Sequence, residues 1–385
     1  MKKLVLTMAV LVVATASGAI LMAGCGGDGG ASVASGPQAT INPITGEEVD
    51  SLPARPVQVS IPNDTYGAVP QSNISYADII YEFPVEGDLT RLQAVFYSQF
   101  PDKVGPTRSV RYYFVDLARE YKAFHVGYGW GKHAHSYMSA SGLPFINGMQ
   151  DTDLFYRVED KDAPNDAYIN WDDIAAYGGY DNEQTIKAWK FVDDEWVEEA
   201  KADKANAEDT VANLKDSDDP EDQKAVEKAE KYLESMGEAN EIKVSSTGCN
   251  STCKYDDESG LYKRFWYGEP YIDKETGEQL TFSNILVQMV HSDQMVDDET
   301  GMSDEKGRLE IDMNASGDAY LFTGGKVIKG TWSKKTPDSR TIFKGVDGKQ
   351  FRFTPGKTWV YVLDQNKDFS FQQVAAETEN SGDEE

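Results

Sequence analysis

Hydrophobic and polar positions alternate with a period of two over residues 56–61, the signature of a half-buried strand, and the apolar-rich residues 78–83 and 90–97 read as two further strands. The last two runs flank Pro84-Val-Glu-Gly-Asp-Leu89 and so predict a β-hairpin. The period then lengthens. Over residues 109–121 the apolar side chains fall at Tyr112, Val115, Leu117 and Ala118, one face of a helix for which Ser109 stands as N-cap. Residues 123–128 return to a strand pattern. Short helices are predicted at 135–140 and, capped by Asn170, at 171–176.

The segment 195–236 differs in kind, being rich in Ala, Glu and Lys and broken at Asp216-Ser-Asp-Asp-Pro220. It predicts a helical hairpin with a thin apolar stripe. After Ile242 short strands follow one another, at 261–267, 282–290, 308–313, 319–322, 327–333, 340–343, 350–353 and 358–363, punctuated by Gly, Asp, Asn and Pro. Thr323-Gly-Gly-Lys326 and Val346-Asp-Gly-Lys349 are their clearest turns. The expected fold is therefore α+β. It comprises a mixed α/β N-terminal domain over 42–192, an acidic helical insertion over 193–240, an antiparallel β-rich C-terminal domain over 241–365, and an acidic disordered tail over 366–385.

The first residues belong to another class of signal. Lys2 and Lys3, the apolar stretch 4–22 and the small residues Ala23 and Gly24 have the order of a signal peptide. The closing Ile20-Leu-Met-Ala-Gly-Cys25 resembles a bacterial lipoprotein cleavage site, which implies lipidation of Cys25 and removal of residues 1–24. Residues 25–41, rich in Gly, Ser and Ala, then read as a flexible tether. The expected location is the extracytoplasmic face of a bacterial cell membrane, with the membrane as partner through the lipid anchor.

Composition narrows the partners. With 65 acidic against 37 basic residues, bulk electrostatics exclude nucleic acid. The acidity is uneven, since residues 193–237 alone carry 16 acids against 6 bases, so the remaining body is only moderately acidic. Outside the cytoplasm the pair Cys249 and Cys253 is most simply a disulfide closing a short loop, with free thiols as the alternative.

Candidate chemistry concentrates in residues 81–113, where Glu82, Glu86, Arg91, Arg108 and Arg111 lie among apolar residues. If 90–97 is a strand, Glu82 and Arg91 pair across the hairpin. Arg108 and Arg111, three positions apart, point to one side. Two readings follow: a buried salt-bridge network that sets register, or a site for an anionic or sugar ligand formed by Arg91, Arg108, Arg111 and Tyr112. A catalytic version makes Glu82, between Tyr81 and Phe83, a protonated acid with Glu86 or Asp88 as its partner, the arrangement that cleaves glycosidic bonds. His125, His133 and His135 could offer imidazoles to a metal, but alternating histidines on a loop are read as solvent-facing, and no metal or cofactor is expected.

Together with Ile44-Thr-Gly-Glu47, Pro70-Gln-Ser-Asn-Ile-Ser-Tyr-Ala-Asp78, Gly105-Pro-Thr-Arg-Ser-Val-Arg-Tyr-Tyr113, Gly330-Thr-Trp-Ser-Lys334 and Pro355-Gly-Lys-Thr-Trp359, this region resembles the YerB-like lipoprotein family. That family has N- and C-terminal parts of unknown function. The resemblance spans residues 42–364 apart from the acidic insertion and implies a two-part extracytoplasmic protein without supplying a reaction. The family pattern has a His-Asn pair where this chain has Asn165-Asp166, and Gly-Gly-Ser where it has Gly127-Tyr-Gly129. If the family residues are catalytic, the activity here is altered. The expected function is binding of a wall glycan or of an envelope protein partner. The alternatives are peptidoglycan glycan-strand cleavage by Glu82 and a structural scaffold whose insertion docks another protein.

Overall fold

The computed structural model describes residues 39–131, 133–246, 249–296 and 301–374. Cys25, its signal peptide and tether up to residue 38, and the tail beyond residue 374 lie outside the described residues. None of the described helices is long and apolar enough to cross a membrane.

The halves of the chain share one sheet. Its spatial order runs from Met236–Glu238 through Lys326–Ser333, Ser316–Thr323, Asn284–Val290 and Thr358–Asp364 to Ile79–Val85, Leu89–Phe96, Val57–Asn63, Phe124–Gly127 and Phe145–Asn147. The seam is Thr358–Asp364, which pairs parallel to Asn284–Val290 on one side and to Ile79–Val85 on the other. The C-terminal strands are therefore not wholly antiparallel. Their all-buried sequence, Thr-Trp-Val-Tyr-Val-Leu-Asp, suits a central parallel strand covered on both faces. Part of the tail expected to be disordered from residue 366 is ordered, because Phe369–Gln372 pairs with Glu241–Ser246.

Period-two alternation sorts the side chains to two cores. Ile80, Leu92, Phe96, Val59 and Trp359 face a second, six-stranded sheet and meet its Ile242, Val244 and Tyr262. Ile79, Tyr81, Phe83, Val95 and Val360 face the helix Tyr112–Tyr121 and its Phe114 and Leu117. Each fully buried side chain of this kind contributes roughly 1.5–3 kcal/mol. The result is three layers, helix on sheet on sheet.

Two buried ion networks cross the layers. Glu120, in the last turn of the Tyr112–Tyr121 helix, accepts from Lys334 at 2.9 Å, from Arg340, and from the Thr341 backbone and hydroxyl at 3.0 and 2.7 Å. The Arg340 guanidinium lies over Tyr121 and Trp189, 4.8 and 4.5 Å from the ring centres. On the opposite face, Arg264 of the second sheet reaches Glu82 at 2.7 Å and stacks 3.9 Å from the centre of Trp359.

The acidic insertion forms the helices Asp194–Leu214 and Pro220–Glu234. Asp193 and Asp219 cap them by accepting from the backbone N–H of Trp196 and Glu221, and Pro220 occupies the start of the second, where no N–H partner is needed. Cys249 and Cys253 are not a disulfide. They lie four residues apart on the strand Cys249–Asp256, a span of about 13 Å at strand rise, well beyond disulfide reach. Cys253 is a free, buried thiol 3.4 Å from the Tyr361 hydroxyl, and burial pushes its pKa up to about 11.

Candidate functional site

Six strands run in one direction: Asn284–Val290, Thr358–Asp364, Ile79–Val85, Val57–Asn63, Phe124–Gly127 and Phe145–Asn147. Their carboxyl ends deliver His291, Glu86, Asp64, Tyr128 and Met149 to a single edge of the sheet. The N-terminus of the Tyr112–Tyr121 helix opens onto the same edge. Crevices at the carboxyl ends of co-oriented strands are where open sheets bind ligands, because loops there can vary without disturbing the core.

The arginines gather at this edge. Arg111 closes on Glu86 with both Nε, at 2.9 Å, and Nη2. Arg91 lies 3.8 Å from the same carboxylate and donates from Nη1 to the Ser109 carbonyl at 2.8 Å. Arg111 Nη1 shares that carbonyl at 3.5 Å. Arg108 donates from Nε to the Asn165 side-chain oxygen at 3.2 Å, and its Nη2 stands 3.8 Å from Asp64. Burial first, then the neighbouring Arg111 charge, lower the pKa of Arg91 to about 9. Arg108 is lowered as well, chiefly by burial.

The backbone around them is clamped. Ser109 does not cap the helix as expected; its hydroxyl donates to the Tyr128 carbonyl at 3.1 Å, and the helix starts after Arg111 with no side-chain cap. Tyr128 N–H in turn donates to the Arg108 carbonyl at 3.0 Å, so the arginine loop is stitched to the end of the Phe124–Gly127 strand. A Cβ at Gly127 would overlap the Val110 side chain, which explains the need for glycine at this crossing.

The expected acid lies elsewhere. Glu82 is 2 % exposed, and both of its oxygens are occupied, one by Arg264 and the other by Asn63 and Thr90, each at 2.8 Å. It does not pair with Arg91, which stands opposite Phe83 and so points to the other face of the sheet. Glu86 is no acid either. Burial raises its pKa, but the hydrogen bond and charge of Arg111, then the charge of Arg91, outweigh it and hold the carboxyl below the usual range. With both Glu82 oxygens taken by Arg264, Asn63 and Thr90, and Glu86 held below the usual range by Arg111, the pair does not present the free acid and partner that glycoside cleavage requires. Tyr112 is spent on structure as well, its hydroxyl bridging the backbone carbonyl and N–H of Ile311 at 3.3 and 2.9 Å.

Residues outside the expected set complete the edge. Tyr66, 80 % exposed, follows Asp64 in a turn closed by the Asp64 carboxylate on the Tyr66 N–H at 2.9 Å. Asn165 binds both this turn, through the Tyr66 carbonyl at 3.0 Å, and Arg108. Met149, 65 % exposed, lies against Gly129. The sequence signal for Tyr66 is a lone aromatic in the polar run Asn63-Asp-Thr-Tyr-Gly67 directly after a strand. A second cleft of about 730 Å³ on this edge, lined by Tyr137, His133, His291, Asp293, Glu310 and Asp312, has the opposite charge. On its floor Asp116 accepts from Tyr137 at 2.6 Å, and burial raises its carboxyl pKa.

His125 lies on the strand expected over 123–128. It is fully buried on Phe124–Gly127, its ring 5.6 Å from that of Trp130, and among the described residues neither ring nitrogen has a hydrogen-bond partner. Burial lowers its pKa to about 3. The unfolded chain binds this proton near 6.5 and the folded chain does not until about 3, so the neutral ring's contribution is complete above the first value and is lost as pH falls toward the second. Replacing His125 by Phe is expected to flatten the acid limb of a pH–stability curve between these values; an unchanged limb assigns it to other groups. Among the described residues no group of three or more His, Cys, Asp or Glu side chains is placed to hold a metal ion.

The α+β fold thus brings the exposed Tyr66 and Met149 and the partly buried Arg108 to one carboxyl edge of its central sheet. The chain belongs to the family described as Protein of unknown function (DUF3048), whose N-terminal domain matches residues 44–184 and whose C-terminal domain matches 240–360. The helical insertion falls between the two matched segments. The chain is 30% identical over 327 residues to Putative lipoprotein YerB of Bacillus subtilis (strain 168), an alignment covering 83% of this chain and 85% of that protein. The crystal structure of YerB protein from Bacillus subtilis matches with a TM-score of 0.68 at 27% identity, covering 87% of this chain and 100% of that one.

Proposed function

We propose that this is a lipid-anchored envelope protein, tethered through Cys25 on the outer face of the cytoplasmic membrane, that binds a wall glycan along the carboxyl edge of its sheet. The lipoprotein-type cleavage sequence and the name of the Bacillus subtilis relative support the anchor. The observation that carries the ligand reading is the exposed Tyr66 beside a half-buried Arg108, both held by Asn165. A tyrosine at 80 % exposure contributes little to the fold, whereas its ring face suits the apolar face of a sugar and the neighbouring donors suit its hydroxyls. Isolated cell-wall glycan is the natural polymer beside such an anchor.

In a pull-down of purified protein on isolated wall glycan, Tyr66→Ala is expected to weaken retention roughly 3- to 10-fold, the loss of one stacked ring, with no change in the unfolding midpoint. Equal retention of both proteins, or no retention of either, would sink this reading.

A further inference from the structure

The arginine cluster carries a narrower conclusion, which rests on the glycan reading. In a chain of net charge −28, three guanidiniums sit at one sheet edge against, among the described residues, two carboxylates within ion-pair distance, Glu86 and Asp64. They repel one another: Arg111 lowers the pKa of both Arg91 and Arg108, in each case behind burial. Glu86 is claimed by Arg111, which meets it through two nitrogens, leaving Arg91 at 3.8 Å. Arg108 is the open member. Its Nε is fixed by Asn165, but among the described residues neither of its terminal nitrogens makes a hydrogen bond, and the nearest carboxylate, Asp64, is 3.8 Å from Nη2. Its side chain remains 24% exposed.

A guanidinium anchored at Nε, with neither terminal nitrogen hydrogen-bonded among the described residues and only the Asp64 charge at 3.8 Å, presents a planar fork, the geometry that takes a carboxylate or phosphate through two parallel hydrogen bonds. An anion there would also relieve the uncompensated charge of the cluster. The acidic cleft on the same edge repels such a group, so the ligand's charge is directed to one end of the crevice.

We infer that Arg108, backed by Arg91 and Arg111, is an anion-binding site for an oxyanion carried by the wall polymer. The same chemistry occurs as the lactyl carboxylate of a muramyl sugar or as the phosphate of a polyol-phosphate chain, and direct binding separates them. Purified protein is titrated calorimetrically with three probes of similar length: a neutral N-acetylglucosamine oligomer, a muramyl-containing glycan fragment and a glycerol phosphate oligomer. At least one anionic probe is expected to bind tenfold or more tightly than the neutral one. Its identity names the source. In Arg108→Gln that ratio is expected to fall below two, and in Arg108→Lys, which keeps the charge but loses the fork, to lie between. Comparable affinity for neutral and anionic probes, or a ratio that survives Arg108→Gln in a protein with an unaltered unfolding midpoint, overturns the inference while leaving glycan binding in place. Binding of glycerol phosphate alone upholds the anion site and overturns the glycan reading. Failure of all three probes overturns both.

Discussion

Glu120→Gln is expected to cost about 3–5 kcal/mol of stability, the loss typical when one partner of a buried ion cluster is removed. Among the described residues Glu120 is the carboxylate within ion-pair distance of both buried cations, with side-chain exposures of 1% for Glu120, 0% for Lys334 and 8% for Arg340. Glutamine keeps the size and one acceptor, so the change isolates charge. Lys334 and Arg340 would then lose the carboxylate that pairs with both of them in low dielectric, a state relieved by opening the 334–341 segment. Equilibrium denaturation measures the loss; a cost below 1 kcal/mol would show that water reaches the cluster. Adding Lys334→Met to Glu120→Gln should recover part of the loss, because one orphaned charge is removed with its partner.

The same carboxylate sets an acid limit. Burial alone would raise its pKa, but Lys334 and then Arg340 outweigh it and bring the value from 4.5 to about 2. A depressed carboxyl contributes its stability above the unfolded value and loses it as pH falls through the folded one, so this contribution fades from about pH 4.5 to 2. The buried His125 begins to lose its contribution at higher pH. Acid unfolding of the wild type should therefore be broad, and Glu120→Gln should remove its lower part.

Glu82→Gln is the second large effect, and its direction distinguishes structure from catalysis. With Arg264 at 0% side-chain exposure and Glu82 at 2%, removing the negative charge takes from a buried guanidinium the carboxylate that meets it at 2.7 Å. A loss of about 3–5 kcal/mol is expected. On the proposed reading, binding to wall glycan should persist below the new unfolding midpoint, since Glu82 turns toward Arg264 of the second sheet and away from Arg91. A variant of unchanged stability that loses glycan binding would return Glu82 to the site.

The sequence pattern carries the hairpin, the helix over 112–121 and the helical insertion because each rests on local periodicity. It misassigns the partner of Glu82 through a slip of one residue. A loop taken as 84–89 sets position 82 against 91, whereas the strands continue through Val85 and Leu89 and set Glu82 against Leu92. In a period-two structure that single step turns Arg91 to the opposite face. The true partner, Arg264, belongs to another sheet, and nothing local announces it. Ser109 was legible as a helix cap by type, but its hydroxyl goes to the Tyr128 carbonyl instead, a tertiary bond that outcompetes the local one. Cys249 and Cys253 mislead for a related reason: spacing suggests a loop, but the strand pattern extends through both. The arginines and Asn165 were visible as unusual residues, while Tyr66 became visible only once exposure distinguished it from the many core aromatics.

The position of the Thr358–Asp364 strand has a consequence for the order in which the molecule can be assembled. Emerging late in synthesis, it occupies the middle of the sheet, between strands made much earlier. Until it arrives, Ile79–Val85 and Asn284–Val290 each expose an unpaired edge flanked by apolar side chains, the kind of surface that recruits other chains. The N-terminal half cannot close by itself during elongation, so completion is a late, chain-length-dependent event dominated by non-local pairing, and nascent chains lacking this strand are the species most exposed to aggregation and proteolysis.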